Sequence, residues 1–326
     1  MTKLIGIEEH FLTKEIRAAW ANSPAHQAES ANFDRGEIES RLDDLGDGRI
    51  ALMDEAGVDV QVLSVTTPAL NNLEPDESVA LACRTNDLLA ETIAKHPTRY
   101  QGFATLPIAA PHEAASELER CVRQLGFVGT MLCGRVRDRN LDHADFRPVF
   151  EAASRLNIPI LIHPQLPQRS VRDAYYSGFG DPIDTAFAAF GLGWHYEAGM
   201  QFLRLMLSGL FDEYPNLQLI LGHWGEVVLF YADRIASMAR VAKLERSMND
   251  YLRENVYVTA SGMWNETYLR RTVEIVGHER LLFSTDYPYQ YRPGREARSF
   301  LEKLSLSPEQ KELFAHGNWE RLTSST

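Results

Sequence analysis

Cysteine is scarce in this chain. Its 326 residues include three, Cys83, Cys121 and Cys133, an odd number, far apart and without a Cys-x-x-Cys pair. A disulfide framework or a cysteine-rich zinc site is therefore not expected, and a reducing cytoplasm is the default compartment. Positive charge is also short: 33 Lys and Arg face 45 Asp and Glu, a formal net charge of −12. Nucleic acid and anionic membrane surfaces, which need clustered basic residues, are poor partners for such a chain. No apolar run approaches the roughly 20 residues that span a bilayer. Glu8, Glu9 and His10 stand where a signal peptide needs its apolar core. No GxGxxG or GxxxxGK[ST] motif supports nucleotide binding. Internal repeats and low-complexity tracts are missing too. With 44% hydrophobic and 24% charged residues, what remains is a soluble globular composition with ample material for a large core.

Short β-branched apolar runs alternate with longer amphipathic stretches along the whole chain. Residues 4–10, 58–66, 100–106, 127–133, 158–163, 217–223, 256–261 and 281–286 predict strands. Residues 78–96, 112–125, 146–156, 197–213, 226–245 and 266–276 predict helices, and Gly57, Pro97, Gly126, Pro215 and Gly277 supply stop signals. Strands separated by helical crossovers pair in parallel, because no tight turn can join parallel neighbours. Eight of them favour a closed (β/α)8 TIM barrel, one α/β domain over residues 1–326, over an open doubly wound sheet. Two connections, 13–47 and 164–193, exceed a simple crossover. Both follow strand ends, where barrel enzymes place the loops that shape a pocket.

Ionisable residues close several of these runs. In Ile7-Glu8-Glu9-His10, strand alternation sends Glu8 and His10 to one face and Glu9 to the other, so Glu9 is assigned a structural role. The fifth run ends in His163, the sixth in His223 and the eighth in Asp286. Closing the barrel sets strand eight beside strand one and gathers Glu8, His10, His163, His223 and Asp286 at the C-terminal mouth. Two imidazoles and two carboxylates suit a divalent transition metal such as Zn²⁺ or Mn²⁺. Without a metal, burying these charges together would carry a desolvation cost that their mutual attraction need not offset. Glu226, three residues after His223, is expected in the first turn of a helix reaching Arg234, within hydrogen-bonding reach of His223.

The segments Glu8-Glu9-His10-Phe11, Ile162-His163-Pro164, Leu221-Gly222-His223-Trp224-Gly225-Glu226 and Phe283-Ser284-Thr285-Asp286-Tyr287-Pro288 resemble the amidohydrolase-2 branch of the amidohydrolase superfamily. That branch holds the aminocarboxymuconate-semialdehyde decarboxylase-like enzymes. Within it the similarity is greatest to the γ-resorcylate and 2,3-dihydroxybenzoate decarboxylases, whose Glu-x-His start replaces the usual His-x-His. The resemblance implies a distorted (β/α)8 barrel with one Zn²⁺ or Mn²⁺ and no organic cofactor. Glu8, His10, His163 and Asp286 would be the metal ligands, with His223 and Glu226 a hydrogen-bonded pair beside them. Arg234 would match a substrate-binding arginine, reached within the subunit or from the neighbour in a homodimer or homotetramer. Tyr289 would lie against the substrate ring.

Asp286, His223 and Glu226 are then the catalytic candidates for decarboxylating a small aromatic carboxylate: Asp286 protonates the ring carbon, and the His223–Glu226 pair stabilises the phenolic oxygen. One departure concerns substrate contacts. Cys133 stands where the resorcylate enzymes carry an asparagine, so the thiol either fills core or replaces a polar contact. Arg135, Arg137 and Arg139 also look unlike the relatives and read as a solvated loop, with a carboxylate contact as the alternative. A metal-dependent hydrolase of a lactone, ester or amide is the competing reaction class on the same scaffold, and a non-catalytic binding protein the third.

Overall fold

The computed structural model describes residues 2–29 and 35–324. Eight strands follow one another round a single parallel sheet in sequence order: β1 (Ile5–Phe11), β2 (Val60–Val65), β3 (Tyr100–Ala104), β4 (Gly129–Cys133), β5 (Ile160–His163), β6 (Leu219–Leu221), β7 (Val256–Thr259) and β8 (Leu281–Leu282). The main crossover helices are α1 (Asp47–Ala56), α2 (Pro75–Lys95), α3 (Pro111–Leu125), α4 (Arg147–Leu156), α5 (Gly193–Leu207), α6 (Met248–Glu254) and α7 (Glu266–Val276). The ring is closed from β8 to β1 by Ile7 N–H donating to Phe283 O (3.1 Å) and His10 N–H to Tyr287 O (2.7 Å). This is the expected (β/α)8 barrel. No described helix is long and apolar enough to cross a membrane.

Alternation along the strands divides the core in two. Ile5, Ile7, Val60, Val62, Phe103, Met131, Leu161, Ile220 and Leu282 fill the barrel interior. Leu63, Val65, Ile160, Ile162, Leu219, Leu221 and Val258 pack outward under the helices. Strict alternation would send Glu8 outward after Ile7. The β1–β2 register instead shifts between Gly6 and Glu9, and this bulge re-aims the strand so that Glu8 and His10 point inward. Gly6 leaves room for the Glu9 carboxylate, since a Cβ there would lie 2.1 Å from Glu9 Oε1 and displace it.

Two helices differ from the sequence expectation. The stretch 197–213 begins earlier, at Gly193, and breaks at Gly209, whose φ of 79° ends one helix and starts the short Leu210–Glu213 turn. The stretch 226–245 is not a continuous helix. His223, Trp224, Gly225, Glu226 and Val227 all have positive φ, between 46° and 91°, and only short turns follow, at Leu229–Tyr231, Ala232–Ile235 and Met238–Ala242. Val228, Leu229, Ala232 and Ala239 do bury an apolar stripe, but the left-handed run 223–227 cannot belong to a right-handed helix, so helical turns begin only at Leu229. The connection 164–193 folds into short helical turns. Part of the other long connection, residues 30–34, lies outside the described residues.

Candidate metal centre and active site

Glu8, His10, His163 and Asp286 meet at the barrel mouth, all buried, with one ligand atom from each lying within 4.8 Å of the others. His10 Nε2 is 3.4 Å from Asp286 Oδ1 and His163 Nε2 is 3.5 Å from Glu8 Oε1. The second polar atom of His163, of His10 and of Glu8 is engaged elsewhere. His163 Nδ1–H donates to Pro164 O (2.8 Å), His10 Nδ1 pairs with Ser64 Oγ (3.3 Å), and Ser261 Oγ–H donates to Glu8 Oε2. Such outer bonds fix each imidazole with Nε2 turned to the centre, as metal-ligating histidines require. Glu8 Oε1 and His10 Nε2 are buried without a hydrogen-bond partner among the described residues. Orphaned buried polar atoms of this kind are costly, and a divalent cation would satisfy both.

The electrostatics agree. Burial raises the Glu8 carboxyl to about 8 against the attraction of His223, and raises Asp286 to about 7 against the same attraction. Burial lowers His10 to about 3 and holds His163 well below its ordinary value. Two carboxylates and two neutral imidazoles around one point are a donor set for a hard-to-borderline cation.

Beside this group sits a second one. Glu226, fully buried, accepts from His223 Nδ1–H (2.6 Å) at Oε1 and from His195 Nδ1–H (2.9 Å) at Oε2. Burial disfavours both charges, but the ion pair prevails: Glu226 is held at about 2, first through His223 and then His195. His223 is raised to about 10 by Glu226. Glu226 is not in a helical turn as expected, so no helix dipole acts on it. The left-handed run from His223 to Val227 carries it instead, with Gly225 N–H on Gly222 O (2.7 Å) and His223 N–H on Ser261 Oγ (2.8 Å). Ser261 (φ 44°) and Asp286 (φ 57°) are left-handed as well. Non-glycine residues in this region cost about 1–3 kcal/mol each, and here they cluster where His223, Glu226 and Asp286 leave the strands. Turn geometry rather than strand alternation aims those side chains.

A cavity of about 570 Å³ opens over both groups, walled by His195, His223, Glu226, Ser261 and Asp286, with Trp194, Phe190, Leu229 and Met263 as its apolar side. Among the described residues Asp286 belongs to both the metal set and the cavity wall. Tyr289 lies near His10 (ring centroids 5.8 Å) and is bonded through its hydroxyl to Thr66 Oγ1 (2.6 Å). Cys133 is buried in the barrel interior, its thiol pushed up to about 12 by burial. Arg234 is exposed and outside this chain's cavity wall. The solvated-loop reading fails for Arg135, which is buried and donates to Arg137 O (3.0 Å). It holds for Arg137 and Arg139, which pair with Glu74 and Asp145 near the surface.

His195 and Ser261 were not anticipated. Strand ends are legible in a sequence, but His195 is brought in by the first turn of α5, and Gly193-Trp194-His195 carries no spacing signal.

Glu9 faces outward and ties the barrel seam. Oε1 accepts Thr285 N–H (2.8 Å), Oε2 accepts Thr285 Oγ1–H, and Gln61 Nε2–H also donates to Oε2 (3.1 Å). Arg49, buried, donates to Gln61 and to His10 O (2.7 Å each). Glu9→Ala strands several of these donors and is expected to cost about 2–4 kcal/mol of unfolding free energy at roughly 1–3 per unsatisfied group. Urea titration at constant m-value checks it; a loss below about 0.5 kcal/mol, the range of ordinary surface changes, would remove Glu9 from the seam.

A family model described as Amidohydrolase matches residues 19–322. The chain belongs to the amidohydrolase family. Among related amidohydrolases, the γ-resorcylate decarboxylase of Polaromonas sp. is 37% identical over 340 residues, covering 99% of this chain and 98% of the relative. The 5-carboxyvanillate decarboxylase of Sphingomonas paucimobilis superposes with a TM-score of 0.91 at 30% identity, covering 100% of both chains. A dihydroxybenzoic acid decarboxylase from Polaromonas sp. JS666, solved with bound manganese and the inhibitor 2-nitroresorcinol, superposes with a TM-score of 0.86 at 35% identity, covering 99% of this chain and 97% of that one.

Proposed function

We propose that this amidohydrolase removes CO2 from an aromatic carboxylic acid bearing a hydroxyl ortho to the carboxylate. The enzyme is a metal-dependent, non-oxidative decarboxylase. The observation that carries the reading is the buried four-residue donor set with two orphaned atoms, opening through Asp286 onto an aromatic-walled cavity beside a charged His223–Glu226 pair. Glu8, His10, His163 and Asp286 would hold one divalent ion. Two carboxylates with two imidazoles suit Mn²⁺ or Zn²⁺, and the manganese of the Polaromonas relative puts Mn²⁺ first. When bound, the ion would supply Lewis-acid stabilisation of the anionic substrate. No organic cofactor is needed.

Losing CO2 directly would leave an aryl carbanion, so the ring carbon must be protonated first. Asp286, the member of the four-residue set that also lines the cavity, delivers the proton to the carbon bearing the carboxylate. The protonated imidazole of His223, held by Glu226, faces the phenolate oxygen, whose negative charge enters the ring when the carbon is protonated and returns as the C–C bond breaks, and stabilises it there. The C–C bond then breaks, its electron pair restores the ring, and CO2 leaves; Asp286 regains its proton from solvent. Tyr289 and the apolar wall position the ring, and Cys133 lies below them as an apolar filler. Because the net charge of −12 opposes an anionic substrate, attraction comes locally, from the ion and His223.

A homodimer or homotetramer completes the site. Phe230 and Val241, 75% and 68% exposed, flank Arg234. An apolar surface of this kind favours a partner, and a second subunit there brings Arg234 towards a neighbouring mouth. The test of the function is a substrate panel: hydroxybenzoates with and without an ortho hydroxyl, beside lactones and amides, given to Mn²⁺-loaded protein. CO2 release confined to ortho-hydroxy acids is expected. Turnover of lactones or amides without CO2 would make the enzyme a hydrolase.

A further inference from the structure

His195 is absent from the metal set, yet it makes one of the two bonds that hold Glu226. The carboxylate is fully buried, and its oxygens are divided between two rings: Oε1 to His223 at 2.6 Å and Oε2 to His195 at 2.9 Å. The rings themselves lie 4.5 Å apart, edge to face. A carboxylate can only accept, so both histidines present Nδ1–H to it. For His195 the tautomer is fixed from the other side as well, because the indole Nε1–H of Trp194, which can only donate, lies 3.3 Å from His195 Nε2. His195 is thus a built donor to Oε2, and Oε2 has no other hydrogen-bond partner among the described residues.

The backbone is shaped to allow this contact. One turn beyond His195 on the same face of α5 is Gly199, and a Cβ at that position would come within 2.4 Å of Glu226 O. The missing side chain lets the helix close on the left-handed 223–227 turn, and that approach brings the His195 ring to the carboxylate. A helix residue four positions away, chosen for its lack of a side chain, and a ring reaching across the gap form one arrangement.

We propose that His195 is a positioning residue of the active site: by taking Oε2 it locks Glu226 with Oε1 on His223 Nδ1, so that His223 Nε2 is the nitrogen offered to the substrate oxygen. The inference rests on the reading that His223 serves that oxygen. Without His195, a buried carboxylate oxygen loses its charge-assisted bond, Glu226 turns towards whatever donor it can find, and His223 is no longer held in one orientation. Turnover suffers far more than substrate affinity, to which the ion and the apolar wall also contribute.

Three variants separate positioning from wall-lining. His195→Ala removes ring and donor, His195→Phe keeps bulk without a donor, and His195→Asn restores an N–H close to the Nδ1 position. Loss of a supporting partner typically costs 10–100-fold in activity, so kcat should fall by about that factor in the Ala and Phe variants. KM should stay within about 3-fold, metal content should stay at the wild-type level, and the Asn variant should recover most of kcat. The second readout is independent of activity: the downfield ring N–H resonance of His223 in ¹⁵N-histidine-labelled, metal-free protein, assigned by its loss in His223→Asn. It should move upfield and exchange faster with solvent in His195→Ala and His195→Phe, and return in His195→Asn. An unchanged resonance with unchanged kcat overturns the inference, as does a resonance that moves equally in the Asn variant. If the resonance responds as expected but wild-type protein releases no CO2 from any hydroxybenzoate, the positioning stands and the decarboxylase reading falls. Should the Ala variant fail to fold, the Phe and Asn pair carries the comparison.

Discussion

Asp286→Asn is expected to lower kcat by about 10²–10⁴-fold, the contribution typical of a general acid placed at the reacting atom. The amide has nearly the carboxyl's shape and keeps an oxygen for the metal, but it has no acidic proton to give to the ring carbon. The side chain's position makes this the most damaging conservative change available. Of the four buried donors at the mouth, Asp286 also faces the cavity, and its left-handed backbone, φ 57°, turns it there. Metal content and affinity for a non-reacting nitrophenol should change little by comparison. Single-turnover rates of CO2 release, with metal measured on the same samples, check the prediction. A variant with bound metal and turnover within 10-fold of wild type would show that another group delivers the proton.

His223→Asn should cost about 10²–10³-fold in kcat, the range seen when a donor to a developing oxyanion is removed. In the native protein burial works against the charged ring, yet Glu226 at 2.6 Å keeps it protonated, raised to about 10. Asparagine can still accept the space and bond Glu226, but it brings no positive charge to the phenolic oxygen. The loss should therefore be greatest for substrates whose phenol is least acidic and smaller for nitro-substituted ones. A uniform loss across that series would assign His223 to binding alone.

The barrel and the meeting of Glu8, His10, His163 and Asp286 at its mouth were legible because both follow largely from strand patterning. Eight apolar runs gave eight parallel strands in order, and Glu8, His10 and His163 stand at the ends of two of them. Even there the sequence hid a step: the bulge after Gly6, which turns Glu8 inward although Ile7 already faces that way. His223 and Asp286 were placed at the mouth for an incomplete reason. They lie beyond the hydrogen-bonded strands, and left-handed turns aim them, a conformation no apolar periodicity encodes. The helix expected from Glu226 failed because residues 223–227 are left-handed, which the genuine buried stripe of Val228, Leu229, Ala232 and Ala239 does not announce. His195 was invisible because its role depends on a close helix approach at Gly199 rather than on any local motif.

The central claim is that a metal-loaded site protonates a ring carbon so that CO2 can leave. Carboxyl-¹³C-labelled 2,6-dihydroxybenzoate, given to Mn²⁺-reconstituted and chelator-stripped protein in D2O and followed by NMR, tests it directly. The expected products are ¹³CO2 and a resorcinol carrying one deuterium at the carbon that bore the carboxylate, with the rate lost on stripping and regained with Mn²⁺. Labelled CO2 formed equally by the stripped protein, or a product without deuterium at that carbon, would contradict it.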